Sequence, residues 1–246
     1  MRKHLSIDIG SAVACIISDM HFGSPISNAK AVARVLKREK FEYLVIDGDG
    51  FDGANLGRLT RRHWKIFARM AKLQRRGVLV LYIPGNHCPP AALAIMELIG
   101  VSVVREVTMV SGAKRIRIEH GDKYDLFCAH PWLTVIGSWV RDIIHTLDFH
   151  GKLAAEVVSW FDRKNKLAER VRDGAVKAAT ARGDDLVICG HSHAPEVLLK
   201  PDGASYANSG SFVDGGDSYL TVKDGVPQLH YARDLKVAEH PVSMVE

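Results

Sequence analysis

Apolar runs too short for helices recur along the chain: VACIIS at 13–18, YLVID at 43–47, VLVLYI at 78–83, VSVV at 101–104 and LVIC at 186–189. They show little polar alternation and are rich in branched residues, the pattern of strands covered on both faces. Such strands need helices beside them. The segment at about 26–39 opens with Ser24-Pro25, read as a cap and a proline in the first turn. The segment at about 60–76 carries Ile66, Phe67, Met70 and Leu73 on one side, with Gly77 as its stop. Alternating strand and helix define an α/β core.

After residue 110 the pattern changes. RIRIEH at 115–120 alternates like a half-buried strand, and 196–231 reads as short strands joined by Asp-Gly and Gly-Gly turns. Between them, about 125–180 has helical periodicity, with Trp132, Ile136, Trp139, Ile143 and Leu147 on one stripe, and is expected to form a helical insertion or cap. The 246 residues hold no linker-like stretch, repeat or low-complexity segment, so one domain over 1–246 carrying that insertion is expected.

Composition narrows the setting. No apolar window of membrane-spanning length is free of charge, and Asp8 breaks the first apolar stretch, which argues against a signal peptide. Cys15, Cys88, Cys128 and Cys189 show no CxxC spacing, which argues for a reducing, cytoplasmic location. The net charge of +5 suits an anionic substrate or an anionic membrane surface, and is too small to point to nucleic acid by itself.

The stretch VIDGDGFDGANLGR, 45–58, packs Asp47, Asp49 and Asp52 into six positions. Counted as a calcium loop from Asp47 it fails, because positions 5, 6 and 12 are Phe51, Asp52 and Arg58. A polar turn stays open for that stretch alone. The other strand ends shift the balance. VACIIS runs into Asp19-Met20-His21, VLVLYI into Pro84-Gly85-Asn86-His87, RIRIEH into His120-Gly121-Asp122, and LVIC into Gly190-His191-Ser192-His193. Ligands of open α/β sheets bind at that edge. Carboxylate, amide and imidazole donors without thiolate suit borderline divalent cations such as manganese, iron or zinc. Two cations about 3.5–4 Å apart need a shared carboxylate and clamp an in-line phosphoryl displacement. Asp49 is the candidate bridge, and a two-metal hydrolase is the expectation.

In their order, SDMH, GDGFD, GNHC, HGD and GHSH resemble the motif series of the calcineurin-like metallophosphoesterases, over residues 13 to about 215. The resemblance implies a four-layer α-β-β-α sandwich. It implies one metal held by Asp19, His21, Asp49 and His193, and a second by Asp49, Asn86, His120 and His191. His87 matches the histidine that contacts the phosphoryl oxygens and serves as acid for the leaving group, while water activated between the cations attacks phosphorus. Asp52 and Asp122 take supporting roles. Cys88 departs from the family, which has an acid there; His87 then needs another carboxylate or is a weaker acid. Cys88 itself reads as a space-filling thiol, with an oxidation-sensitive spot as the alternative.

Within the superfamily, YLVIDGDGFDG, RRGVLVLYIPGNH, HGDKYD, VICGHSHAP and YANSGSFVDG are most similar to UDP-2,3-diacylglucosamine hydrolases. Those enzymes cleave a pyrophosphate bond in lipid A synthesis, releasing UMP and an acylated sugar 1-phosphate. The similarity implies a lipid-linked substrate sheltered by the 125–180 block, with Trp132, Ile136, Trp139 and Arg163 as substrate contacts. It also implies peripheral contact of the basic residues there with an anionic membrane. Against it, NSGSFVDG lacks the Asp-Trp pair usual after the glycine, and an apolar stripe often does no more than pack on a core. Manganese is the expected metal, with iron and zinc as alternatives. Rival readings keep the metals but change the substrate to a phosphoprotein, nucleotide or nucleic acid, for which Arg61-Arg62 and Arg75-Arg76 offer charge. A last one is a non-catalytic scaffold.

Overall fold

The computed structural model of the protein describes residues 4–125, 128 and 166–235. In chain order the strands are β1 (Leu5–Gly10), β2 (Ala14–Ile17), β3 (Tyr43–Asp47), β4 (Leu79–Ile83), β5 (Ser102–Val103) and β6 (Val107–Ser111). They continue with β7 (Lys114–Ile118), β8 (Leu186–Cys189), β9 (Glu196–Leu198), β10 (Ser205–Asn208), β11 (Ser218–Lys223) and β12 (Val226–Tyr231). The helices are α1 (Ala29–Arg38), α2 (Arg61–Arg75), α3 (Pro90–Leu98) and α4 (Leu167–Arg182).

Two six-stranded sheets result, in the orders β12-β11-β2-β3-β4-β5 and β1-β6-β7-β8-β10-β9. β2, β3, β4 and β5 run parallel in the first, and β7, β8 and β10 run parallel in the second. Alternation along each strand divides its residues between two cores. Ala14, Ile16, Val45, Leu81 and Ile83 face the second sheet, where they meet Val107, Met109, Ile116, Ile118 and Ile188. Their neighbours Cys15, Ile17, Leu44, Ile46, Val80 and Tyr82 pack with Val32 and Val35 of α1, Ile66, Phe67 and Met70 of α2, and Met96 of α3. On the far side, Val187, Cys189 and Tyr206 pack with Val171, Ala175 and Ala179 of α4. Helices, sheet, sheet, helix: this is the expected α-β-β-α sandwich.

The apolar runs all become strands, though VSVV pairs only over Ser102–Val103. The start of α1 differs from expectation. Its cap is Asn28, whose side chain accepts from Ala31 N at 3.2 Å, while residues 24–27 form turns, with Ser27 donating to the Met20 carbonyl at 2.6 Å. β1 and α3 were not expected. Of the block at 125–180 expected to form a helical insertion or cap, the described residues include little more than its C-terminal end, where α4 packs on the second sheet as an outer layer of the sandwich; residues 126–127 and 129–165 lie outside the described residues. Trp132, Ile136, Trp139 and Arg163 lie outside the described residues.

β7 also departs from simple alternation, because Arg117 is buried. Its Nε donates to Asp184 Oδ2 at 2.7 Å and its Nη1 pairs with Glu106 at 3.1 Å; Asp184 also takes Arg115 Nε at 2.7 Å. Removing one partner of a buried pair strands the other charge. Asp184→Ala is therefore expected to cost about 3–5 kcal/mol. Urea unfolding measures this, and a loss below about 1 kcal/mol would show Arg117 to be solvated by other means.

Candidate metal centre

Parallel strands in both sheets bring their C-terminal ends to one side of the molecule. β2 delivers Asp19 and His21, β3 delivers Asp49 and Asp52, and β4 delivers Asn86, His87 and Cys88. β7 delivers His120, and β8 delivers His191 and His193. The loops are stitched together by their backbones. Asp19 N donates to the Gly48 carbonyl (3.3 Å), His21 N to Asp49 (2.9 Å), Gly48 N to Ile83 (2.8 Å) and Gly190 N to His120 (3.1 Å).

Asp19, His21, Asp49, His191 and His193 all have positive φ, between +41° and +62°. Non-glycine residues visit that region at a cost, and such conformations cluster where surrounding structure overrides local preference. Crowding accounts for two glycines. A Cβ on Gly48 would fall 1.9 Å from His120 Nδ1, and one on Gly85 would fall 2.2 Å from Asp49 Oδ1.

The side chains form two adjoining clusters. Asp19 Oδ1 lies 3.2 Å from His193 Nε2 and 3.9 Å from His21 Nε2. Asp49 Oδ2 lies 3.9 Å from His21 Nε2 and 3.4 Å from His120 Nε2, and so touches both clusters. Ligand-type atoms of Asp19, His21 and His193 are mutually within 4.8 Å, as are those of Asp49, His120 and His191. The other Asp49 oxygen accepts from His87 N at 2.9 Å, and Asp19 Oδ2 accepts from His191 N at 3.0 Å. His120 Nδ1 sits 3.1 Å from the Asp47 carbonyl, which can only accept; this turns Nε2 toward Asp49.

Buried polar atoms almost always have partners. Here, among the described residues, Asp19 Oδ1, His21 Nε2, Asn86 Oδ1 and His120 Nε2 are buried without a hydrogen bond. Two carboxylates, an amide oxygen and imidazole nitrogens are a donor set fit for borderline divalent cations. The orphaned atoms are the ones such cations would take.

Electrostatics agree. Burial pushes the Asp49 carboxyl up, but the adjacent His120, with His87 and His21, holds it well below the usual carboxylate range. Burial likewise opposes a low value at Asp19, and His193 overcomes it. In return His120 is raised well above the usual imidazole value against the pull of burial by Asp49, and His193 is raised by Asp19.

Asp52 Oδ1 lies 3.7 Å from His21 Nδ1, and Arg58 stands 3.8 Å from its other oxygen. Ligand-type atoms of His21, Asp52 and His87 lie mutually within 4.8 Å. Asp52 is thus a carboxylate near His87 despite the loss of the acid at 88. Cys88 Sγ is 3.2 Å from the Tyr82 hydroxyl, and burial raises its thiol to about 11, so it is a neutral group packed beside a phenol. Asp122 is half-buried at the start of a short 3-10 turn, Asp122–Tyr124.

Several residues around the centre were assigned no role from the sequence. Asp125 Oδ2 lies 3.1 Å from His191 Nε2, with Cys128 beside it. Asn208 donates to the Gly190 carbonyl at 2.7 Å, and Ser209 meets Ser18 at 2.7 Å, so the NSG segment supports the loops of Asp19 and His191. Asp47 is fully buried, with both carboxyl oxygens unpartnered among the described residues, and burial raises it well above its ordinary value.

Fold and clustered donors together define an α/β sandwich with two candidate cation clusters at its strand ends. The sequence pattern of the calcineurin-like phosphoesterases matches residues 14–195, and the chain belongs to that family. Its members use a dinuclear metal centre. A novel archaeal phosphodiesterase is similar in structure, with 14% identity, a TM-score of 0.50, and coverage of 89% of this chain and 99% of that one. Yfce, a phosphoesterase from E. coli, is similar with 16% identity, a TM-score of 0.51, and coverage of 92% and 96%. At these identities the likeness shows the fold alone. No curated protein matches the sequence. Among the described residues no helix is long and apolar enough to cross a membrane.

The pKa directions fix a sign. Without metal, the His120 contribution to stability is fully present below its unfolded value of about 6.5 and is lost as pH rises through its higher folded value. The Asp49 contribution is present above its unfolded value of about 3.9 and is lost as pH falls through its lower folded value. Divalent cations compete with the imidazole protons. The rise in Tm on adding manganese should therefore grow from pH 6 to pH 9. Differential scanning calorimetry of chelated and loaded protein checks this, and a constant increment would contradict it.

Proposed function

We propose that this chain hydrolyses phosphodiester or pyrophosphate bonds with two divalent cations, manganese in the first instance. Asp19, His21, Asp49 and His193 would hold one, and Asp49, Asn86, His120 and His191 the other. The observation that carries the reading is the set of orphaned donor atoms gathered about Asp49. A bound pair of cations supplies positive charge for the phosphoryl oxygens and lowers the pKa of water.

The chain's own residues do the rest. Asp49 is kept ionised by its neighbours and is positioned by the His87 N–H. The His87 ring lies 5.2 Å from that of His21 and is half-buried, so it can reach a substrate oxygen and donate a proton to the leaving group. Asp52 stands where it can stabilise the charged form of that imidazole. Arg58, half-exposed beyond Asp52, adds positive charge at the approach.

Metal-dependent hydrolysis of bis-p-nitrophenyl phosphate tests the reading. Asp49→Asn and His120→Ala should each abolish it with the fold intact by circular dichroism; parental rates in both would refute it. His87→Ala should slow substrates with alkoxide leaving groups by about 10²–10⁴-fold, the usual range for general acid catalysis. Nitrophenolate leaves without a proton, so its release should slow far less. Equal losses on both substrates would remove His87 as the acid.

A narrower expectation, a UDP-2,3-diacylglucosamine-like substrate, comes from the sequence resemblance, with peripheral contact to an anionic membrane as its corollary. It requires UDP-diacylglucosamine to be cleaved much faster than a bare UDP-sugar in parallel assays; equal rates would exclude acyl-chain recognition.

A further inference from the structure

Asp125, Cys128 and His191 close a triangle beside the centre. Asp125 Oδ2 lies 3.1 Å from His191 Nε2 and 3.5 Å from Cys128 Sγ, and Cys128 Sγ lies 3.9 Å from His191 Nε2. One ligand-type atom from each residue therefore falls within 4.8 Å of the others, as in the two clusters around Asp49. Neither Asp125 nor Cys128 belongs to those clusters.

We propose that this triangle is a third cation site, suited to a thiophilic divalent ion of the zinc class, and that it shares His191 with the catalytic pair.

The metric fits. Tetrahedral zinc bonds oxygen and nitrogen at about 2.1 Å and sulfur at about 2.3 Å, which gives edges of about 3.4 Å between O and N and about 3.6 Å from S to either. The three separations of 3.1, 3.5 and 3.9 Å match these edges within a few tenths of an ångström. Three protein ligands leave the fourth vertex to water.

The chemistry separates this set from its neighbour. The Asp49 clusters offer only oxygen and nitrogen, whereas sulfur selects zinc-like ions over manganese or magnesium. Sγ–H now donates to Asp125, and a cation would displace that proton to give a thiolate. Carboxylate and thiolate together balance the charge of a dication in a site where Asp125 is buried. The consequence for activity rests on the proposed phosphoesterase reading: zinc held here draws on His191 and slows hydrolysis. The site itself does not depend on that reading.

Cobalt reports sulfur ligation directly. Full-length protein stripped with chelator and titrated with Co²⁺ should develop a thiolate-to-cobalt charge-transfer band in the near ultraviolet. Cys88→Ser should keep that band, and Cys128→Ser should lose it. A parent without the band, or a band that survives Cys128→Ser, would overturn the site. In manganese-loaded enzyme, Cys128→Ser should leave the basal rate unchanged and raise the zinc concentration for half-inhibition at least about tenfold, in line with the loss of a metal-supporting group. Unchanged zinc sensitivity would overturn the link to His191. Should the parent fail to hydrolyse any phosphodiester with manganese, the phosphoesterase reading falls, while the cobalt spectrum still decides the sulfur site.

Discussion

A buried carboxylate is the constraint from which the rest of this structure follows. Asp49 is almost completely removed from solvent and sits among His21, His87 and His120. A charge in that position is costly unless it is paired and hydrogen-bonded. The surrounding loops meet the requirement from several directions. His120 and His21 come toward one oxygen from different sheets, and the His87 backbone N–H satisfies the other. Gly48 and Gly85 are glycine because the space a side chain would take is filled by the His120 ring and by Asp49 itself. The left-handed backbone at Asp19, His21 and Asp49 belongs to the same arrangement, since it allows the short loops to aim their side chains at one point.

The framework was legible because its strands are covered on both faces, and unbroken apolar runs mark such strands. The elements that escaped lack that signature. In β1, LSIDIG, Ile9 alone is buried, and among the described residues the strand pairs only with β6, at the edge of its sheet. α3, PAALAIMEL, is short and apolar but for Glu97, so it shows little contrast between faces. α4 was faint in the sequence for the opposite reason. Its packing face is small, Val171, Ala175 and Ala179, while the large aromatics upstream give the stronger periodic pattern.

The site divides in the same way. Asp19, His21, Asp49, Asn86, His120, His191 and His193 follow strands directly, and strand order brings them together. Asp125 and Cys128 follow a turn instead, with no spacing that predicts their approach to His191. The absent acid at 88 is the clearest case of a local reading needing three dimensions. Asp52, given a supporting role from its motif, supplies a carboxylate close to His87 and His21. Cys88 turns the other way, toward Tyr82.

The donors about Asp49 come from both sides of the sandwich. Asp19, His21, Asp49 and Asn86 ride on the first sheet, and His120, His191 and His193 on the second. The seam between the sheets thus runs through the middle of the donor set, and neither half alone assembles it. The donor set is complete only once residues as distant in sequence as Asp19 and His193 have come together. Any ion lodged there would rivet the two sheets together, adding a polar fastening to the apolar seam between them.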